Sequence, residues 1–244
     1  MCSTVSVEVR DCADQSGGVV PSLHPDVVHV WMRWLQVAPA LEAELYALLS
    51  PDEREQTSRF RVERARRAFI LTRGTLRSLI AVYVGKAPHE LALKRTHHGK
   101  PLLDGPFDLR FNVSHTEGLA LLAFARKREI GVDVEKIRPQ PDARKLAERF
   151  FSISERSELA HLSGSELQRA FFRCWSRKEA YIKARGEGLS LPLDQFDVSI
   201  AVGASQVLLA TRPDPSEASR WLVRDLPTSP EYAAALAVAE VAAS

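Results

Sequence analysis

The sequence predicts an α+β fold with mainly antiparallel sheets. Several short stretches alternate apolar and polar residues as half-buried strands do, and two long stretches repeat apolar residues at helical spacing before stopping at glycine. Strands and helices follow one another without the regular strand-helix-strand rhythm of a doubly wound parallel sheet.

Taken in order, "DVVHVWMRWLQ" (26–36) alternates as a first strand. "PALEAELYALLSPDERE" reads as a short helix and then a turn at Ser50-Pro51. From Arg59 to Val84, Phe69, Leu76, Ile80 and Tyr83 recur at helical spacing, and Gly85 with Pro88 ends the run. Short strands are expected near 91–96, 108–113 and 118–125. In "IGVDVE", Ile130, Val132 and Val134 alternate with Gly131, Asp133 and Glu135, giving a strand with one oily and one acidic face. "DARKLAERF" and "SISERSELAHL" read as short helices. "SGSELQRAFFRCWSRKEAYIKARGEG" reads as a long one, capped by Ser165 and ended by Gly186 and Gly188. The tail alternates again in "FDVSIAV", "QVLLAT", "RWLVRDL" and "YAAALAVAEV", as closing antiparallel strands do.

The 244 residues suffice for one large domain or two small ones. With 33 basic against 31 acidic residues the net charge is +2, which gives no sign of a nucleic-acid binder. Cys2, Cys12 and Cys174 form no C-x-x-C pair and leave an odd count, against a disulfide framework or a cysteine-rich zinc site. The first residues lack a basic start before an apolar core, and no window of some 18 apolar residues follows. A soluble, cytoplasmic protein with no membrane contact is expected.

Asp133 and Glu135 stand about 6.6 Å apart along a strand, at roughly 3.3 Å per residue, so both can lean onto one cation. The plainer alternative is a surface strand with a wet outer face. In the long helix, Glu179 lies in a bulky apolar stripe with Phe172, Trp175 and Ile182. A carboxylate there needs a cation or strong hydrogen bonds, unless it forms only a surface i,i+4 pair with Lys183. Three oxygen donors without clustered histidine or cysteine form the ligand set of a hard cation such as Mg²⁺, which commonly pairs with phosphate. Phosphate binders are on offer in "RTHHGKP", with Arg95, His98 and Lys100 around a glycine turn, although His97 and His98 read equally well as a solvated turn. Ser114 and His115 in "NVSH" are adjacent on a strand and point to opposite faces, which argues against a serine hydrolase.

The ordered set "GKP", "FNVSH", "GVDVE", "FF" and "WSRKEAYIKARGEGLSLPL" resembles the Sfp-type 4'-phosphopantetheinyl transferases, over about Ser50 to Phe196. The resemblance implies two similar α+β halves related by a pseudo-twofold axis, with coenzyme A and Mg²⁺ held between them. We place the halves at residues 1–126 (coenzyme A and carrier contacts) and 127–244 (metal ligands and catalytic helix). It implies Asp133, Glu135 and Glu179 as metal ligands, Glu179 and Lys183 as catalytic residues, and Lys183 as a phosphate contact. Lys178 is then a second phosphate contact or a structural partner. Lys100, Ser114 and His115 resemble the family's coenzyme A contacts, as do Arg95 and His98, while Phe111 and Asn112 are structural. The basic residue that many members place ahead of the long N-terminal helix is Gln56 here, leaving Arg54 or Arg59 to meet the nucleotide 3'-phosphate. The implied reaction moves phosphopantetheine onto a serine of an acyl or peptidyl carrier protein domain. The GVDVE form resembles the branch serving polyketide and nonribosomal peptide synthesis, and two fused halves imply a pseudodimeric monomer. A Mg²⁺-dependent nucleotide phosphohydrolase and a catalytically silent coenzyme A-binding module are the competing readings. Seven arginines, at 59, 61, 64, 66, 67, 73 and 77, against the single acid Glu63, are expected to steer acidic carrier domains or to form a solvated face.

Overall fold

The computed structural model describes residues 5–15, 20–97 and 99–240. The chain divides into two compact units, Ser6–Lys127 and a second beginning at Arg128. The first unit holds β1 (Ser6–Asp11), β2 (Val27–Trp34), α1 (Pro39–Ala47), α2 (Pro51–Ser58) and α3 (Glu63–Val84), then β3 (Leu93–Arg95), β4 (Pro101–Leu103), β5 (Leu109–His115) and β6 (Leu119–Arg126). The second holds β7 (Ile130–Lys136), α4 (Ala143–Phe150), α5 (Ile153–Ala160) and α6 (Gly164–Arg185), then β8 (Phe196–Val198), β9 (Leu208–Thr211), β10 (Trp221–Asp225) and β11 (Tyr232–Ala239).

Each unit runs strand, three helices, a two-stranded hairpin, then two more strands. The sheets agree as well, with order β2-β6-β5 in the first and β7-β11-β10 in the second, all antiparallel. The fold is therefore α+β with two similar halves. The first sheet gains β1, parallel to β2 at the edge, a strand the sequence reading did not anticipate. The hairpin partner β4 was also missed, being three residues long.

The sequence explains the repeated helices. α3 and α6 each span 22 residues and end at a glycine in left-handed backbone, Gly85 (φ 67°) and Gly186 (φ 74°), a conformation with little cost only where Cβ is absent. The segment expected to turn at Ser50-Pro51 instead starts α2. Ser50 Oγ accepts the Glu53 N–H at 3.3 Å while Glu53 accepts from the Ser50 N–H at 3.0 Å, a reciprocal cap, and Pro51 needs no partner at the first helical position. Ser152 and Glu155 repeat that cap at α5. Consequently α3 begins at Glu63 rather than Arg59, and α6 follows Ser163, not Ser165.

Both capping glutamates also brace the long helix of their own half. Glu53 accepts from Arg77 Nε at 2.5 Å, and Glu155 Oε1 lies 2.7 Å from Lys178 Nζ. Arg77 and Lys178 occupy the same place, eight positions before Gly85 and Gly186. The cores are separate apolar clusters, one around Trp31, Leu76, Ile80 and Phe124, the other around Phe151, Phe171, Tyr181 and Phe196. Among the described residues no helix is long and apolar enough to cross a membrane.

Candidate active site

The acidic strand face is covered, not wet. An added Cβ on Gly131 would fall 2.1 Å from Ala180 O and 2.3 Å from Ala184 N, so β7 lies flush against α6 only because residue 131 has no side chain. The neighbouring strand helps, since Ala235 and Ala237 of β11 pair with Asp133 and Gly131 and bring little bulk beneath the helix. Side chains two apart share a face, so Asp133 and Glu135 are delivered to α6 as well. Asp133 is 3% exposed, and Lys183 Nζ reaches its Oδ1 at 2.6 Å. Lys183 thus forms a strand-to-helix ion pair with Asp133.

Burial, reinforced by the nearby Asp133 charge, pushes the Glu135 carboxyl up to about 7. Arg138 and Lys183 pull against that rise, and Glu179 adds to it. Burial likewise raises Glu179 above the ordinary carboxylate range, with Lys183 opposing and Asp133 contributing. The three acids thus sit within one another's fields, an excess of negative charge that favours a hard, oxygen-seeking cation. Among the described residues no three such groups converge on one point, and the Lys183 ammonium already neutralises part of the set. By donor chemistry the acids fit Mg²⁺.

In the first unit, Arg95 ends β3 and Lys100 precedes β4, on either side of the hairpin turn. Arg95 donates to Gly99 O at 3.2 Å, and the Lys100 N–H to Thr96 Oγ1 at 3.1 Å. Gly99 there has φ 82°. His98 lies outside the described residues. Ser114 is buried and His115 exposed on β5, as expected of adjacent strand residues. Arg54 folds back on α1, donating to Ala47 O at 2.6 Å and covering the Tyr46 ring, while Arg59 pairs with Glu55 at 2.5 Å.

Comparison with known proteins decides the family. Residues 129–237 match the model of the 4'-phosphopantetheinyl transferase superfamily, and residues 33–127 that of a 4'-phosphopantetheinyl transferase N-terminal region. The 4'-phosphopantetheinyl transferase HetI of Nostoc sp. is 36% identical over 221 residues, 89% of this chain and 90% of that protein. The chain belongs to the Sfp-type 4'-phosphopantetheinyl transferases. The transferase Sfp of Bacillus subtilis is 34% identical over 154 residues, 63% of this chain and 67% of that one. A holo-(acyl-carrier-protein) synthase of Bacillus anthracis, solved with CoA (3',5'-ADP), covers 47% of this chain and 96% of its own at 25% identity, with TM-score 0.38.

In this phosphopantetheinyl transferase Lys178 takes its structural role. Its ammonium is fully buried, ion-paired with Glu155 and donating to Leu193 O and Phe196 O at 2.7 Å each. The arginine cluster resolves largely into ion pairs. Arg66 and Arg67 hold Glu42 at 3.2 and 2.7 Å, Arg73 and Arg77 hold Glu53, and Arg64 meets Glu117 at 2.9 Å on the surface. Sequence reasoning missed the roles of Gly131 and Glu155. The second was signalled by Ser152-x-x-Glu155, a capping-box spacing.

Proposed function

We propose that the transferase moves 4'-phosphopantetheine from coenzyme A to the serine hydroxyl of an acyl or peptidyl carrier protein, releasing 3',5'-ADP, in polyketide or nonribosomal peptide synthesis. The observation that carries the reading is that β7 lies against α6, pairing Asp133 with Lys183 and setting Asp133, Glu135 and Glu179 within one another's electrostatic field. Asp133, Glu135 and Glu179 would hold Mg²⁺, which when bound offsets charge on the pyrophosphate. Lys183, released from Asp133, places its ammonium at the oxygen of the departing nucleotide. Glu179, whose proton affinity burial has raised, takes the serine Oγ proton directly or through a water as Oγ bonds to the phosphorus bearing pantetheine. The P–O bond to the nucleotide breaks in the same displacement. Lys100, Ser114, His115 and Arg95 serve as coenzyme A contacts, with Arg54 or Arg59 at the 3'-phosphate. The enzyme is read as a cytoplasmic monomer.

The deciding experiment is intact-mass analysis of an apo carrier domain incubated with the enzyme, coenzyme A and Mg²⁺. A gain of one phosphopantetheine is expected. Phosphate release without that gain would make the enzyme a nucleotide phosphohydrolase, and neither event would leave a silent coenzyme A binder.

A further inference from the structure

A pocket of about 250 Å³ opens in the second unit, lined by residues other than the carboxylates and Lys183. One wall is Arg169 and Arg173, one helical turn apart on α6, and another is the loop Leu226–Pro230 between β10 and β11. The loop is held at several points. Leu226 N–H donates to Ala234 O at 2.9 Å, Tyr232 N–H to Ser229 O at 2.9 Å, and Ile137 N–H to Glu231 O at 2.7 Å. Pro227 and Pro230 add stiffness, so the wall exists before any ligand arrives.

Charge across the pocket is unbalanced. Asp225 is the one acid among the lining residues, and it is spent on Arg177, which grips both of its oxygens at 2.7 Å. Arg173 donates one N–H to Ile200 O at 2.6 Å, and Arg169 is exposed with no hydrogen bond or ion pair among the described residues. Two arginines with donors to spare therefore line the pocket, and the guanidinium fork suits carboxylate and phosphate oxygens. Burial and the positive charges of Arg177 and Arg169 depress the Arg173 pKa, with the Asp225 charge opposing them. Ile137, Leu226, Tyr232 and Ala233 supply an apolar surface beside these donors.

We propose that this pocket is a binding site for a small organic anion, a carboxylate or phosphate monoester with a short apolar body, held by Arg169 and Arg173. Its volume is below the roughly 300–1,000 Å³ of sites for drug-sized ligands, too small for a whole dinucleotide.

The test is titration of the ¹⁵N-labelled full chain with phenyl phosphate and with hexanoate, with hexanol as the uncharged control. At least one anion is expected to shift the amides of Thr228, Ser229 and Tyr232 saturably, and hexanol is not. Which anion acts distinguishes phosphate from carboxylate recognition. Arg169→Gln, at an exposed side chain with no structural bond, should weaken binding about tenfold or more, as loss of a charge-assisted hydrogen bond does. Arg173→Gln should do the same, with thermal unfolding as its folding control. Absence of a saturable shift with both anions, equal binding of hexanol, or undiminished affinity in Arg169→Gln would overturn the proposal.

Discussion

Asp133 shows how much a single carboxylate demands of its surroundings. At 3% exposure it is too deep for water to solvate, and the Lys183 ammonium 2.6 Å away supplies the missing compensation. Removing it frees an ammonium that is 28% exposed and able to reach water, so Asp133→Ala should fold. We expect Asp133→Ala and Glu179→Ala to nearly abolish transfer and Glu135→Ala to be milder, because a water can fill one vacated Mg²⁺ position. Transfer rate against Mg²⁺ concentration, with thermal unfolding alongside, checks this; a folded Asp133→Ala enzyme with wild-type rate and Mg²⁺ dependence would remove the metal role. The alternation around Val132 and Val134 made the shared face of Asp133 and Glu135 legible. It could not reveal the cover over that face, because the partner lysine lies fifty residues along the chain. His29 gives a second test. Its Nδ1 lies 2.8 Å from Tyr83 Oη, which accepts the Trp31 indole N–H at 2.7 Å, and burial lowers its pKa from 6.5 despite the opposing charge of Glu8. The unfolded chain therefore takes up its proton first as pH falls through 6.5, and stability is full above that pH and declines below it. Urea unfolding at pH 7.5 and 5.5 should show the advantage of wild type over His29→Phe shrinking at the lower pH; an advantage that is constant or grows would contradict the neutral buried imidazole.

The pairing of β7 with α6 depends on one missing methyl group. Gly131 was legible as part of the "GVDVE" run, but its contact with Ala180 and Ala184 was not, since period-2 alternation says which face a residue takes and nothing about how close the next layer comes. Helix ends are legible where glycine and apolar spacing agree, as at Gly85 after α3 and Gly186 after α6. At Ser50-Pro51 the proline suggests a break, whereas the Ser50-x-x-Glu53 cap makes it a start. Gly131→Ala should force α6 away from the strand, costing about 1–3 kcal/mol as overpacked interiors do. Because the shift separates Asp133 from Lys183 and Glu179, transfer should fall further than the lost stability accounts for at a temperature where the variant is folded. Gly203→Ala is the control. Its φ of 67° imposes a left-handed cost of roughly 1–2 kcal/mol, but an added Cβ meets nothing within 4 Å, so turnover should be unchanged. Equal turnover in the two variants would deny Gly131 its positioning role.

At the scale of the whole molecule, one scaffold is filled in two ways. Trp34 pairs with Leu119 where Lys136 pairs with Tyr232, and this register sets His29, Trp31 and Arg33 against Gly131, Asp133 and Glu135. In the first half these positions meet the long helix through Tyr83 and Thr75, with bulky rings and hydrogen bonds, one of them from the Arg33 guanidinium. In the second half the same positions carry a glycine and two acids, with Ala184 opposite in place of Tyr83. The first half fills that interface with rings and hydrogen bonds, and the second gathers carboxylates there. Two halves were legible through family resemblance alone, because the repeat is one of topology and capping rather than of recurring sequence. Surface charge was the least legible feature, since acids from distant elements neutralise most of the arginines counted on α3. Arg67 is tied to the half-buried Glu42, so reversing it would set two carboxylates together and cloud any kinetic reading. Arg61 and Arg64 are the exposed candidates for steering an acidic carrier domain, Arg64 being 75% exposed and paired, among the described residues, with the surface residue Glu117, a contact worth little in water. Arg61→Glu with Arg64→Glu should raise the KM for the carrier several-fold at low salt and leave the KM for coenzyme A unchanged. The difference from wild type should fade as ionic strength rises and the Debye length falls below about 10 Å. Equal shifts in both KM values, or a carrier effect indifferent to salt, would rule out steering by this pair.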